Sequence, residues 1–384
     1  MEKYFLAAIG AADGLGHKSL KRLIEFFGSA EAAWSAEVGE LKRSGVRKLS
    51  LEAFIKFRNE HPNAPQKLVS YCKRHKFKLC SFFEEDYPTI LKEIDTPPMY
   101  FYYRGQLAPH AERIGIVGSR ENTRYGQSVA IELGEQLAAA GLTVVSGAAR
   151  GIDTFAHEGA LKSGRTVAVL GCGIEIAFQR GKRNFFDRIV DSGGVVLSEF
   201  HPQLTPNQGT FPTRNRVIAG LCKGVIIVEA GERSGALITT DYAADYSRDV
   251  FVIPGRVYDE KSFGCNKLIR DGATLIKTAQ DVLDEYNITS PKTDFKPDES
   301  IDIDGAADKI SGTSTPAIKL AKPIELDGMA AKVFAVIPSD NFITDDEILM
   351  SVEDLTVSEL PDIMRDLELK GYVEAEAGRY KRKR

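Results

Sequence analysis

Apolar residues fall into two patterns along this chain, and the alternation between them predicts most of its fold. Short continuous runs recur through the middle: Arg113-Ile-Gly-Ile-Val117, Leu142-Thr-Val-Val145, Thr166-Val-Ala-Val-Leu170, Gly194-Val-Val-Leu197, Gly224-Val-Ile-Ile-Val228 and Asp249-Val-Phe-Val-Ile253. Runs that are apolar throughout, rather than at alternate positions, predict strands covered on both faces. Between them the apolar residues space out to one helical face, as with Val129, Leu133, Leu137 and Ala140. That spacing predicts helices near 123–140, 153–163, 182–192, 213–222, 235–246 and 264–271. Strands alternating with helices predict an α/β fold with a doubly wound, mostly parallel sheet.

The flanks read differently. Residues 1–75 predict small helices, with Leu49, Phe54 and Phe57 as core candidates and Trp34 in the core rather than on a base-stacking platform. Gly14-Leu-Gly-His-Lys18 precedes the apolar-faced stretch Ser19–Phe27, which Gly28 ends. This resembles a SAM or helix-hairpin-helix element whose glycine turn grips a phosphate with help from Lys18, Lys21 and Arg22; a turn within a helical interaction domain is the equal alternative. Residues 76–286 form the sheet domain. Its first part adds a strand near Phe77–Phe83, a short helix at Tyr87–Ile94 that Pro97-Pro98 breaks, and an extended run, Met99–Tyr103, whose aromatics serve packing.

Residues 287–326, rich in Pro, Asp, Lys, Ser and Thr, predict a flexible linker. Residues 327–384 predict three helices and a hairpin wing, a winged-helix-like shape. Its would-be recognition helix sets Glu359, Asp362, Asp366 and Glu368 against Arg365 and Lys370, the wrong charge for a DNA groove. A contact with protein, or with a second copy, fits it better. The basic end, Arg379–Arg384, reads as a solvated tail that can also touch DNA.

The strand ends carry the candidate chemistry. Gly118-Ser119-Arg120 and Ser146-Gly147-Ala-Ala-Arg150-Gly151-Ile-Asp153 are small-residue loops, each with one arginine and each opening into a helix. Helix N-termini offer unpaired N–H groups, glycine and serine allow close approach, and arginine adds bidentate contacts to phosphate. In an open parallel sheet these loops gather at the carboxyl edge, where ligands bind. Phe211-Pro-Thr-Arg214-Asn215-Arg216 brings an aromatic face and two cations, Ser234-Gly235 opens another helix, and Asn266-Lys267 adds an amide and a lysine. Cations beside an aromatic suit single strands: charge for phosphate, a flat face for a base. Pairing of Arg214 or Arg216 with Glu199 or Glu229 is the structural alternative.

Composition narrows the function. The 384 residues carry a net charge of −4, so a nucleic-acid site must be a local patch. No apolar run reaches the ~20 residues of a membrane span, and the first residues lack a signal-peptide pattern. The five cysteines have no zinc spacing, and a cytoplasmic protein with reduced thiols is expected. No cofactor motif stands out. A dinucleotide enzyme would want G-x-G-x-x-G after the first strand, and a phosphoribohydrolase of the lysine-decarboxylase-like group a P-G-G-x-G-T loop with a glutamate; neither is present. Among the six histidines only His157 lies near the loops, and it reads as a helix-surface residue, so no catalysis is expected.

Gly118-Ser-Arg120, Ser146–Asp153, Gly171-Cys-Gly173, Phe211–Arg216, Ser234-Gly-Ala-Leu-Ile-Thr239 and Gly264-Cys-Asn266 together resemble the motif series of the DprA/Smf family, in order and spacing across about 100–285. The resemblance implies an extended Rossmann fold, a homodimer, binding of single-stranded DNA, and loading of the RecA recombinase onto it in natural transformation. By position it implies that Arg120 holds a phosphate, that Ser146–Gly151 and Ser234-Gly235 frame the pocket, that Phe211 stacks on a base, and that Arg214 and Arg216 hold the adjoining backbone. Two departures stand out. Phe178-Gln-Arg-Gly-Lys-Arg-Asn184 replaces a usual tyrosine-proline segment, and Asn207-Gln208 stands where some members carry lysine. Arg180, Lys182 and Arg183 are the candidates to restore that cation.

Overall fold

The structure is a computed structural model. It describes residues 1–179, 182–289, 328–338, 343–352, 355–356, 359–370, 372–376 and 379–382. Two compact units emerge, Met1–Phe295 and Lys296–Arg384. The linker predicted across 287–326 lies almost wholly outside the described residues, as do Arg180 and Gly181.

Six helices open the first unit: α1 (Glu2–Gly10), α2 (His17–Phe27), α3 (Ala30–Ser35), α4 (Val38–Arg43), α5 (Lys48–Glu60) and α6 (Ala64–His75). Leu6, Ile9, Leu23, Trp34, Leu41 and Phe54 share their core, which makes Trp34 a packing residue as its sequence context suggests. Gly28 ends α2 in the left-handed conformation that glycine adopts freely. These helices are tied to the first part of the sheet domain by Lys3–Glu84 at 2.7 Å and by His17 Nδ1 to the Pro97 carbonyl at 2.7 Å.

Strands and helices then alternate. They run β1 (Lys78–Ser81), β2 (Tyr100–Gly105), β3 (Arg113–Val117), α7 (Arg124–Ala139), β4 (Thr143–Ser146), α8 (Ile152–Ala160), β5 (Thr166–Val169), α9 (Ile174–Gln179), α10 (Arg183–Asp191) and β6 (Val195–Ser198). After these come α11 (Thr210–Gly220), β7 (Gly224–Ile227), α12 (Leu237–Asp245), β8 (Asp249–Val252), α13 (Phe263–Arg270), β9 (Thr274–Leu275) and α14 (Ala279–Glu285). All nine strands form one sheet in the order β1-β2-β6-β5-β4-β3-β7-β8-β9. β1 pairs antiparallel with β2, and β2 with β6; every other pairing is parallel. The sheet is therefore doubly wound and mostly parallel, a Rossmann-like arrangement with an antiparallel edge.

Each continuous apolar run feeds both layers of the core. Ile114, Ile116, Val144, Ile226 and Phe251 pack with Leu133, Leu137 and Ala156 on one face. Val117, Val145, Val167, Val225 and Ile227 pack with Val217 and Ile218 on the other. Burying both faces leaves no room for polar alternation within a strand.

Strand order reverses beside β3: the chain moves from β3 to β4 on one side and later returns to place β7 on the other. In such sheets the crevice beyond the strand ends at this reversal is where ligands bind.

Three local differences from the sequence reading have identifiable causes. The Asn207 side chain accepts from Gly209 N (2.9 Å) and Thr210 N (3.1 Å), so α11 starts at Thr210, earlier than the predicted 213. Arg214 and Arg216 therefore lie inside a helix, not beside its start. The segment at Tyr87–Ile94 is only a 3-10 turn, Thr89–Glu93, while α9 forms where no helix was predicted.

The second unit contains α15 (Gly328–Val336), β10 (Ile343–Thr344), α16 (Asp345–Ser351), α17 (Leu360–Leu369), β11 (Val373–Glu376) and β12 (Arg379–Arg382). Val333, Ile348, Leu360, Leu367 and Val373 form its core. Pro361 falls in the first turn of α17, where its missing N–H costs nothing. Along α17, Asp362 pairs with Arg365 and Asp366 with Lys370. The basic end is not a solvated tail over 379–382. β12 is the central strand of a three-stranded antiparallel sheet, and Arg382 donates to the Phe334 and Ala335 carbonyls. Lys383 and Arg384 lie outside the described residues.

Candidate nucleic-acid interface

A cleft of about 930 Å³ opens at the strand reversal. It is lined by the loop after β3 (Gly118–Glu121), by Ala149 and Asp153, by Pro206–Gln208, by the first turns of α11 including Phe211, Arg214 and Asn215, by the loop after β7, and by Glu260-Lys261. The sequence motifs thus converge, although they come from loops spread over more than a hundred residues of chain.

The walls are held by backbone and carboxylate contacts. Ser119 N donates to the Glu229 carbonyl (2.7 Å), and the Glu229 carboxylate accepts from Thr123 N (2.9 Å) and Thr123 Oγ1 (2.5 Å). Glu229 thereby latches the loops after β3 and β7 together. Ile152 N donates to the Ser119 carbonyl (3.1 Å), joining the loop after β4. Gly151 must be glycine here: its φ is 89°, and a Cβ would stand 2.2 Å from the Ser119 oxygen. Gly118 is similarly enclosed, between Ile152 and the Glu229 carbonyl.

Two residues give the cleft its chemistry. Arg120 is exposed, and its guanidinium carbon lies 4.6 Å from the centre of the Phe211 ring. Phe211 is half-buried, and a Cβ on Gly171 would come within 2.8 Å of its Cδ1. The glycine of the Gly171-Cys-Gly173 motif therefore exists to let the ring seat. A cation over an aromatic face, open to solvent at a strand reversal, can hold both parts of a nucleotide: phosphate by charge and base by stacking.

The other predicted residues divide by position. Arg214 braces the cleft wall from within. It is 4% exposed, and its Nη1 donates to the Val169 carbonyl and, at 2.5 Å, to the Gly147 carbonyl. Gly147 lacks a Cβ because one would meet this guanidinium at 2.2 Å. Arg214 also acts on the buried Asp153, whose carboxyl burial pushes up while the Arg214 charge pulls it down. The pairing with Glu199 or Glu229 weighed for Arg214 is not found; its partners are the two strand-end carbonyls, and its charge acts on Asp153 of the adjoining motif. Arg216 pairs with Glu199, as that alternative proposed, and donates to the Thr96 carbonyl, outside the cleft lining.

Ser146 is fully buried, and its hydroxyl donates to the Ile116 carbonyl at 2.6 Å, so it ties β4 to β3 instead of facing a ligand. Asn215 lines the cleft while its Nδ2 donates to the Gly235 carbonyl (3.2 Å), and Ser234-Gly235 forms an open turn beside it. Asn266 is occupied with the Gly255 backbone, donating to its carbonyl (3.1 Å) and accepting from its N–H (3.3 Å). Arg150 and Lys267 are exposed but outside the lining.

Lys182 and Arg183 lie outside the cleft lining: Lys182 Nζ donates to the Ala148 carbonyl (2.9 Å), and Arg183 makes an exposed pair with Asp187 (3.6 Å). The cleft finds its further cations in Arg233 and Lys261, which the sequence reading missed. Arg233 directly precedes the Ser234-Gly235 turn, and that adjacency was the available signal. His157 is not on the helix surface. It is fully buried, its Nδ1 lies 2.6 Å from Thr166 Oγ1, and burial holds its pKa down to about 3. A neutral imidazole so placed is not poised to exchange protons near neutral pH.

The sequence model of the family described as DNA recombination-mediator protein A matches residues 78–287, the span that contains every loop of the cleft. The chain belongs to that family. Protein Smf of Synechocystis is 31% identical over 406 residues, covering 100% of this chain and 99% of that protein. Among solved structures, DNA processing protein A from Streptococcus pneumoniae matches with a TM-score of 0.64 and 34% identity, over 74% of this chain and 98% of that one. DNA processing protein A from Helicobacter pylori matches with a TM-score of 0.50 and 28% identity, over 55% of this chain and 95% of that one. The Helicobacter structure is described by its single-stranded DNA binding mode. Membership in the recombination-mediator family agrees with the motif resemblance and with the Rossmann-like sheet. Among the described residues no helix is long and apolar enough to cross a membrane.

Proposed function

We propose that this protein binds single-stranded DNA in the cleft at the strand reversal, without catalysis, and passes the bound strand to a RecA-type recombinase. The observation that carries the reading is the Arg120 guanidinium over the Phe211 ring at the open mouth of the cleft. A base arriving at Phe211 takes the place of the guanidinium on the ring, and Arg120 swings to the adjoining phosphate. The exchange favours the strand: an exposed cation–π contact is worth about 0.5–1 kcal/mol, base stacking about 1–3 kcal/mol. Arg233 and Lys261 add charge along the same cleft. A strand held by one or two nucleotides at the carboxyl edge leaves its remaining bases available to a recombinase. The protein acts in the cytoplasm as a homodimer, on DNA taken up in transformation or exposed in recombination. The test compares gel shifts with single- and double-stranded oligonucleotides and follows RecA filament assembly in the same preparations. The reading requires preference for the single strand and faster assembly; equal binding to both forms, or nucleotide turnover by the protein, would overturn it.

The C-terminal winged-helix-like unit serves contacts between proteins. Its α17 presents paired charges rather than a basic face, and all cleft loops lie within Met1–Phe295. Deleting 288–384 is therefore expected to leave affinity for a short oligothymidylate unchanged while lowering avidity for long strands, where linked cleft-bearing copies gain effective concentration. A large loss on the short strand would place this unit on the DNA.

A further inference from the structure

The loop between β8 and α13 presents an aromatic side chain that nothing in the fold uses. Gly255 at its base is clasped by Asn266, and the Tyr125 hydroxyl reaches the Pro254 carbonyl at 3.5 Å. Asp259 N donates to the Arg256 carbonyl (3.1 Å), closing a four-residue turn with Val257 and Tyr258 at its corners. The Asp259 carboxylate accepts from Lys261 N (3.0 Å), so the turn runs directly into Glu260-Lys261, which line the cleft. Val257 is 70% exposed and Tyr258 94%. A firmly anchored turn thus holds a phenol ring in water beside the exposed Arg256.

We infer that Tyr258 is a second stacking platform, taking a base of the strand as it leaves the cleft past Lys261, with Arg256 on the neighbouring phosphate. The inference rests on reading the cleft as a single-strand site. Three observations favour nucleic acid as the occupant. β8 runs parallel to β7, so this turn lies at the same sheet edge as the cleft loops. Tyr258 is two residues, at most about 7 Å of chain, from the cleft-lining Glu260. The pairing of an aromatic with a cation repeats the chemistry of Phe211 and Arg120.

The test uses the full-length protein and two oligothymidylates, one filling only the cleft and one overhanging it. Tyr258→Ala is expected to weaken the long strand about five- to a hundredfold and to leave the short one unchanged. Tyr258→Phe keeps both affinities. In Tyr258→Trp, the new indole is quenched by the long strand alone, a change that a merely structural role would not produce. The inference is overturned if Tyr258→Ala binds the long strand as the parent does. It is also overturned if the substitution instead abolishes self-association and the indole stays unquenched, which marks the turn as a contact with a second copy. Arg120→Ala in the same series separates the two readings. If it binds the short strand as the parent does, the cleft assignment fails; if it weakens the short strand while the Tyr258 variants are silent, only the platform fails.

Discussion

Arg214→Ala should destabilise the Met1–Phe295 unit by about 3–5 kcal/mol, the scale for removing one partner from a buried charged contact. The guanidinium reaches the Gly147 and Val169 carbonyls and offsets the Asp153 charge at full burial. Without it two carbonyls lose a donor and a buried carboxylate loses its counter-charge, while Gly147 faces a void. Arg214→Lys should rescue little, because a single ammonium on a flexible stem cannot replace a planar fork reaching two carbonyls. Thermal melting checks this directly. A parent-like Tm with selective loss of DNA binding would return Arg214 to the strand and contradict its assignment as a brace.

Phe211→Ala should cost about 1–3 kcal/mol in single-strand affinity, the worth of one stacked base. The ring packs over Gly171 and lies under Arg120, so its loss removes the platform and the contact that pre-positions the guanidinium. No charge is removed, so the salt dependence of binding should hardly change. Phe211→Trp, with a larger face, should retain affinity. Melting curves taken with the binding curves separate this from a packing role: a variant that loses Tm in step with DNA affinity would make Phe211 a core residue.

Sequence legibility followed the physics of each element. The strands were readable because burial on both faces demands apolar residues throughout, and Ile114, Ile116 and Val117 have no polar alternate to confuse the pattern. The loops were readable because glycine positions such as Gly118 and Gly151 are imposed by close backbone approach. The direction of an arginine was not. Arg120 and Arg214 look alike in sequence, yet one is exposed and the other is buried and bonded to the ends of two strands. The difference is set by where α11 begins, which depends on the Asn207 side chain. Arg216 was better specified, since Glu199 at the end of β6 was an available partner in the sequence. Arg233 has only its adjacency to the Ser234-Gly235 turn to mark it in the sequence, and Lys261 has no signal until the loops converge. The strand β12 hides in a charged stretch, Arg379-Tyr-Lys-Arg382, because its pairing on both sides is made by backbone groups that side-chain charge does not forbid.

The most direct test of the cleft as a single-strand site is the salt dependence of oligothymidylate binding by the parent protein and by Arg120→Ala. Each phosphate contact on a single strand contributes about 0.7 to the slope of log affinity against log salt concentration. Arg120 is exposed, and among the described residues neither a hydrogen bond nor an ion pair holds it, so its removal should leave the fold and Tm intact. Arg120→Ala is expected to bind more weakly, with a slope shallower by about one such contact, while melting as the parent does. Equal affinity and equal slope in the two proteins would contradict it.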